Sequence, residues 1–367
     1  MMINKNQPIR IAIAGLGFGE SVHIPASKFN ADIELVGLWH QRKERLREAC
    51  AKHNLHAYEN WEDLIKDPNL EGIIIATPPA PRFELALQAI KAGKHLLLEK
   101  PIGLNAEEVM ELQRNALKRN LCIGVDYEYR AVPLFMQAKR IISEKKIDEP
   151  YFVKLDWLMS SRSNPERPWN WYSDENSGGG VLGALGTHAF DMIHWLIGPV
   201  QSLSSINSTS IKERFCPQSK TKKAVSSEDI SISQLQIKSI HNNLIPCQVN
   251  LSAVTKQSKG FSLEIYGKNG TLILSSDNQK DYVHGFGLWF SANGEVLKNI
   301  QPDPDLAFSK TWTDGRIAPV ARIQSWWAQS IKDGTPVIPG LVEGLASQKV
   351  CDKVKESNLM GMKLNID

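Results

Sequence analysis

The run Ile11-Ala12-Ile13-Ala14 leads without a break into Gly15-Leu16-Gly17-Phe18-Gly19, and no other segment limits the fold so strongly. An apolar run ending in glycines two apart reads as a first strand, a tight turn and the start of a helix. Such a turn lets backbone approach a diphosphate closely, and the N–H groups and dipole of the helix N-terminus favour the anion. In the dinucleotide fingerprint a third glycine falls at position 20, where this chain has Glu20. A carboxylate there is mildly unfavourable to a phosphate unless it points outward. A glycine loop can also be an ordinary structural turn. Its place after the first strand of a βαβ pattern favours dinucleotide binding, with Gly15, Gly17, Phe18 and Gly19 as candidate cofactor residues.

The pattern around the loop supports this. Short apolar runs recur at 10–14, 33–39, 72–77, 95–98 and 121–125, and they are continuously apolar, as a parallel sheet covered on both faces requires. Helix-period segments lie between them. Phe83, Ala86, Leu87 and Ile90 repeat at i, i+3, i+4 and i+7, and Asn105 with Glu107 and Glu108 reads as an N-cap with an acidic first turn. This alternation predicts an α/β fold with an N-terminal, doubly wound parallel sheet.

After residue 127 the rhythm changes. A helix at 133–142 and a strand at 151–158 precede a polar, aromatic-rich loop at 160–177. Gly178-Gly179-Gly180 and a helical stretch to Leu196 follow. Strand-like runs then recur at 230–237, 248–254, 262–266 and 271–274, and 322–332 and 341–356 read as closing helices. The expected division is a dinucleotide-binding domain over 1–127 and an α+β domain over 128–367 with a largely antiparallel open sheet. The segment 211–227, with Lys-Thr-Lys-Lys and several serines, reads as an exposed, mobile loop.

Composition narrows the function. With 43 basic against 40 acidic residues over 367, the net charge is +3, so no field draws nucleic acid or a membrane surface. No run reaches the ~20 apolar residues of a membrane span, and MMINKNQPIR lacks a signal-peptide core. Five well-separated cysteines without a Cys-x-x-Cys argue against a disulfide framework or metal site and for a reducing cytoplasm.

The end of the second strand bears on the coenzyme. An NAD site calls for an acid there to hold the ribose 2′-hydroxyl, but this chain has His40-Gln41-Arg42-Lys43. Arg42 and Lys43 can neutralise a 2′-phosphate, which favours NADP(H) with NAD(H) still possible; the alternative is ordinary surface charge opening a helix. Further on, the 95–98 strand ends in Glu99-Lys100-Pro101. Ligands of open α/β sheets bind beyond the carboxyl ends of strands, where an ammonium can polarise or protonate a substrate oxygen.

Taken together, GLGFG, ATPP at 76–79, AGKHLLLEKP at 92–101 and GGGVLGALGTHAFD at 178–191 resemble the Gfo/Idh/MocA oxidoreductases, which include glucose–fructose oxidoreductase and inositol dehydrogenase. The resemblance spans the chain. It implies a Rossmann domain, a second α/β domain whose open sheet supports a homo-oligomer (dimer or tetramer), and hydride transfer between nicotinamide and a sugar, polyol or related carbonyl compound. It also implies that Lys100 touches substrate and nicotinamide ribose, that Ala76, Thr77, Pro78 and Glu99 line the cofactor with His40, Gln41 and Arg42, and that His188 is the catalytic acid/base. Two departures stand out. The Asp that commonly lies four residues before the histidine is Ala184, and a histidine that commonly follows the ATP segment is Arg82. Both leave room for an alternative, a nucleotide-binding regulatory or non-redox relative.

The expected substrate contacts are Tyr127 and Arg130 at the domain junction, Arg167, Trp169 and Trp171 in the loop, and Thr187 with His188. Aromatic faces and forked guanidinium donors suit a sugar ring or an anion, although an aromatic cluster can equally seal an interface. His23, inside the first helix, and His194, amid apolar neighbours, read as structural.

Overall fold

The computed structural model describes residues 7–278 and 284–366. The chain divides into two compact units, one comprising the chain up to Ala131 with Lys310–Leu345, the other comprising Val132–Ser309 with Ala346 onward.

In the first unit, β1 (Ile9–Ala14), β2 (Ile33–Trp39), β3 (His56–Tyr58), β4 (Gly72–Ile75), β5 (His95–Leu98) and β6 (Ile123–Val125) form one sheet in the order β3-β2-β1-β4-β5-β6. All its pairings are parallel. Continuous hydrophobicity follows from having both faces covered. Ala12 and Ala14 face a core with Val109 and Leu112, while Ile11 and Ile13 face another with Leu46, Ile323 and Trp327. Asn105 caps the helix Ala106–Leu117 by accepting from the Glu108 N–H at 3.0 Å, as its sequence predicts.

One cover is contributed from far along the chain. The helix Ile317–Asp333 places Trp327, fully buried, under the sheet, where a Cβ on Gly72 would sit 2.7 Å from its ring. The sequence pattern identifies this helix as a closing element. Its sheet partner is set by tertiary packing, which local periodicity does not carry.

The second unit holds, among the described residues, a nine-stranded sheet. In spatial order its strands are Lys298–Ile300, Gly287–Ala292, Gly270–Ser276, Gly260–Gly267, Pro150–Leu158, Leu244–Ser252, Ile230–Lys238, Val200–Ser208 and Leu364–Asn365. Pro150–Leu158 and Leu244–Ser252 pair in parallel and the other neighbours antiparallel. The fold is therefore α/β, with a Rossmann-type parallel sheet followed by a mostly antiparallel one. The expectation of a loop over 211–227 is corrected: Glu213–Cys216 and Thr221–Ala224 form an antiparallel hairpin. Arg214 anchors it, buried, by donating to the carbonyls of Asn164 at 2.7 Å and Arg162 at 2.6 Å. The polar composition hid the strands because one hairpin face is solvent-exposed. No described helix is long and apolar enough to cross a membrane, and all five cysteines are buried and unbridged.

Candidate functional site

The strand order reverses at β1, which pairs with β2 on one side and β4 on the other. That is where an open α/β sheet opens a crevice at its carboxyl ends. The glycine loop lies there. The Gly15 N–H donates to the Trp39 carbonyl at 3.0 Å, tying the loop to the end of β2. Gly15 has φ +104°, and a Cβ on it would lie 2.6 Å from the Ala76 carbonyl oxygen, so only glycine fits between β1 and β4. Gly17 differs: a Cβ there meets nothing within 4 Å, leaving open space above the loop. Gly19 begins a single π turn, Gly19–His23, that runs into the helix Ile24–Phe29.

Glu20 points away from the loop. Its Oε1 lies 2.9 Å from Lys52 Nζ and 3.3 Å from His53 Nε2 on the helix Lys43–His53. The Lys52 hydrogen bond outweighs partial burial and holds its carboxyl below the ordinary value. The carboxylate that stands in place of the third glycine is thus neutralised by a neighbouring helix.

At the end of β2, His40 Nδ1 lies 3.1 Å from the Arg42 N–H and orders the turn, with Gln41 and Arg42 exposed. Burial lowers the His40 pKa, so its ring is neutral at physiological pH. Arg45 reaches back to the Leu16 carbonyl at 2.5 Å. Cationic groups therefore border the glycine loop on the side where an adenine ribose sits in this fold.

Between β4 and its helix Pro79–Lys91, Thr77 is buried and its Oγ1 has no hydrogen-bond partner among the described residues. A buried hydroxyl without a partner fits a ligand oxygen or amide completing it. Arg82 is a structural clamp. Its buried guanidinium donates to the carbonyls of Thr77, Glu99 and Pro101, joining the turns after β4 and β5. Burial lowers its pKa to about 10, with Glu99 opposing, so it stays charged. Proximity in sequence to the ATP segment gave no sign of this role, which depends on β4 and β5 being neighbours.

Behind Lys100 lies a buried polar cluster. His23 Nε2 is 2.9 Å from Glu99 Oε1 and 3.6 Å from Asp126 Oδ2. Its other ring nitrogen is 3.2 Å from Gln324 Nε2, which fixes the ring. The three ligand-type atoms lie within 4.8 Å of one another. Burial raises the Glu99 carboxyl, but the His23 hydrogen bond and the charges of His23, Lys100 and Arg82 win and hold it below the ordinary value. Asp126 goes the other way: burial and the charges of Glu99 and Glu128 push it well above the ordinary value. Glu128 is raised to about 7 by burial, with Lys100 opposing and Glu99 reinforcing. Neither Asp126 nor Glu128 stood out in the sequence, although both lie in the VDYEYR segment whose Tyr127 and Arg130 did. Tyr127 and Arg130 are buried in the same turn, the Arg130 N–H donating to the Tyr127 carbonyl at 3.0 Å.

The second unit carries the remaining candidates. His188 is buried in the first turn of the helix Thr187–Leu196, its ring centroid 6.2 Å from Trp157. The Thr187 hydroxyl donates to the Gly183 carbonyl at 3.2 Å. Gly180, at φ +95°, lies against Glu228, whose Oε1 accepts from the Leu182 N–H at 2.8 Å. The glycine run exists to let this buried carboxylate hold the turn before His188. In the loop, Trp169 is docked on the hairpin, donating to the Ala224 carbonyl at 3.0 Å with Lys223 over its ring at 3.5 Å. Arg167 is exposed and donates to the Ser161 carbonyl at 2.6 Å. Trp171 is part-exposed. Arg162, in the same loop, stacks on Tyr172 at 3.8 Å.

Comparison with known proteins agrees with this architecture. Residues 9–127 match the oxidoreductase family with an NAD-binding Rossmann fold, and residues 139–366 match the same family's C-terminal alpha/beta domain. An uncharacterized oxidoreductase of Synechocystis is 38% identical over 358 residues, covering 97% of this chain and 95% of that protein. The Bacillus subtilis scyllo-inositol 2-dehydrogenase (NADP(+)) is 27% identical over 206 residues, 55% of each chain. A levoglucosan dehydrogenase solved with NADH and L-sorbose superposes with a TM-score of 0.86 at 20% identity, covering 98% of this chain and 99% of that one. With both of its domains matched end to end, the chain belongs to the Gfo/Idh/MocA oxidoreductase family.

Proposed function

We propose that this oxidoreductase binds NADP(H) in preference to NAD(H) and exchanges a hydride with a secondary hydroxyl or carbonyl of a sugar, polyol or related small molecule. The observation that carries the reading is the crevice at β1 and β4. There the Gly15 turn, the open space at Gly17 and the unpartnered Thr77 hydroxyl lie together at the carboxyl end of the sheet. Exposed Arg42, with no acid at the end of β2, favours a 2′-phosphate over a bare ribose. The relatives' names, an NADP(+) inositol dehydrogenase and a levoglucosan dehydrogenase, support the substrate class.

When bound, the nicotinamide supplies or accepts the hydride; the rest falls to side chains of this chain. Gly15, Gly17, Phe18 and Gly19 receive the diphosphate, His40, Gln41 and Arg42 the adenosine ribose, and Ala76, Thr77, Pro78 and Glu99 line the approach to the nicotinamide. Lys100, fixed by its place one residue beyond the Arg82-clamped Glu99 carbonyl, polarises the reacting oxygen. His188 is the second acid/base group, a role that suits histidine because its unperturbed pKa is about 6.5. Tyr127, Arg130, Arg167, Trp169, Trp171 and Thr187 are the proposed substrate contacts. The buried, unbridged cysteines favour a reducing compartment such as the cytoplasm. The outward sheet face, where Phe152 stacks on Tyr266 and Ile232 is exposed, favours a homo-oligomer. Fluorescence titration with NADPH and NADH, followed by initial rates on a panel of aldoses, anhydrosugars and inositols, tests the reading. Tighter NADPH binding and turnover of one panel member are expected; absence of binding by either coenzyme overturns it.

A further inference from the structure

β5 and β6 pair in register, Leu98 opposite Val125, so the residues just beyond them, Lys100 and the 126–128 segment, leave the sheet side by side. The Asp126 N–H donates to the Leu98 carbonyl at 2.8 Å, holding the two exits together. Glu128 opens the short turn Glu128–Ala131 and is buried. Its turn is pinned from the opposite side by Arg322, which donates to the Ala131 carbonyl at 2.9 Å.

We propose that Glu128 is a positioning residue for Lys100, the group that takes up a proton from Lys100 as Lys100 receives one from the substrate hydroxyl. The proposal rests on the reading of Lys100 given above. In the oxidative direction the alcohol O–H bond breaks and its proton passes to the Lys100 nitrogen as the Lys100 ammonium gives one of its own protons to the Glu128 carboxylate. Glu128 then gives up that proton to solvent, leaving Lys100 an ammonium and Glu128 a carboxylate as before. The C–H bond breaks as the hydride goes to the oxidised nicotinamide coenzyme, and the C=O bond forms. One hydride and one proton leave the alcohol, and the reverse order serves reduction.

Every charged neighbour bears on this role. Lys100 lies on the adjoining strand exit, Glu99 and Asp126 meet His23, Arg82 acts on Glu99, and the charge of Arg316, which precedes the helix Ile317–Asp333, acts on Glu128. Glu99 is held below its ordinary value and Asp126 is pushed above it, while Glu128, raised to about 7, changes state near neutrality. A group titrating at the working pH is the efficient proton acceptor.

The full-length protein labelled with [δ-¹³C]glutamate gives a direct readout. The resonance lost in Glu128→Gln is expected to titrate at about 7 in the wild type and to move up in Lys100→Met, which removes the opposing cation. Titration in the ordinary carboxylate range, or a midpoint unmoved by Lys100→Met, overturns the proposal. In coenzyme-saturated initial rates, Glu128→Gln is expected to lose the neutral limb of the kcat/KM pH profile and at least ~10-fold in rate, with Glu128→Asp restoring the limb. An unchanged profile in Glu128→Gln overturns it. Where Glu128→Gln does not fold, the comparison of wild type with Lys100→Met still decides. A wild type inert on the whole panel, with the Glu128 and Lys100 coupling intact, counts against the proposed function and not against the coupling.

Discussion

The Arg82 guanidinium donates to the main-chain carbonyl of Glu99 at 2.6 Å, 17 residues along the chain and one strand across the sheet. The same group reaches the carbonyls of Thr77 and Pro101, so one side chain aligns the turns after β4 and β5 that flank the crevice. Replacing it with Met leaves buried carbonyls without donors. We expect a loss of about 3–5 kcal/mol in urea unfolding. Arg82→Lys should recover less than half, because a single ammonium cannot match the planar fork.

Gly15 and Gly17 make opposite demands. Gly15→Ala forces a Cβ to 2.6 Å from a carbonyl at a positive φ and should lower stability by about 1–3 kcal/mol. Gly17→Ala meets open space, so its thermal unfolding should stay within about 0.5 kcal/mol of wild type while NADPH affinity falls at least ~10-fold. Melting curves and coenzyme titration on both variants separate a folding role from a binding role.

Coenzyme choice should follow Arg42. Arg42→Ala should weaken NADPH binding by roughly 10-fold, about 1.4 kcal/mol, and leave NADH nearly unchanged. Raising the salt concentration should erode the NADPH preference of the wild type, since the pair is exposed. Equal effects on both coenzymes would assign Arg42 to the surface.

The Glu128 carboxyl also makes stability depend on pH. Its folded pKa of about 7 lies above the ordinary 4.5, so the folded state holds the proton more tightly. Its contribution is fully present below 4.5 and is lost as pH rises to 7. Glu128→Gln cannot ionise, so its stability relative to wild type should increase across that window by up to roughly 3 kcal/mol and then level off. Urea midpoints at several pH values check both the sign and the window.

What the sequence disclosed and what it hid divide along physical lines. Buried parallel strands such as 72–77 and 95–98 betray themselves by continuous apolarity, and the Asn105 cap by local hydrogen-bonding chemistry. The glycine loop was legible because one backbone demand, at Gly15, excludes every other residue. Features made by distant segments were not. Trp327 reaches the sheet from another part of the chain, Glu228 braces the turn before His188, and Arg82 joins two strands that only the fold makes neighbours. The hairpin within 211–227 escaped because its strands are short and half-solvated, so no apolar period marks them. Asp126 and Glu128 carry no local mark in the sequence; only burial reveals that they share a cluster with Glu99.

The central claim is that a dinucleotide seated in the crevice at β1 and β4 reacts beside Lys100. Its most direct test measures nicotinamide absorbance change and coenzyme affinity together in wild type and Lys100→Met, on whichever panel substrate the wild type turns over. We predict a fall of about 10²–10⁴-fold in kcat for Lys100→Met, with NADPH affinity changed by no more than about threefold. Undiminished turnover in Lys100→Met would contradict the account.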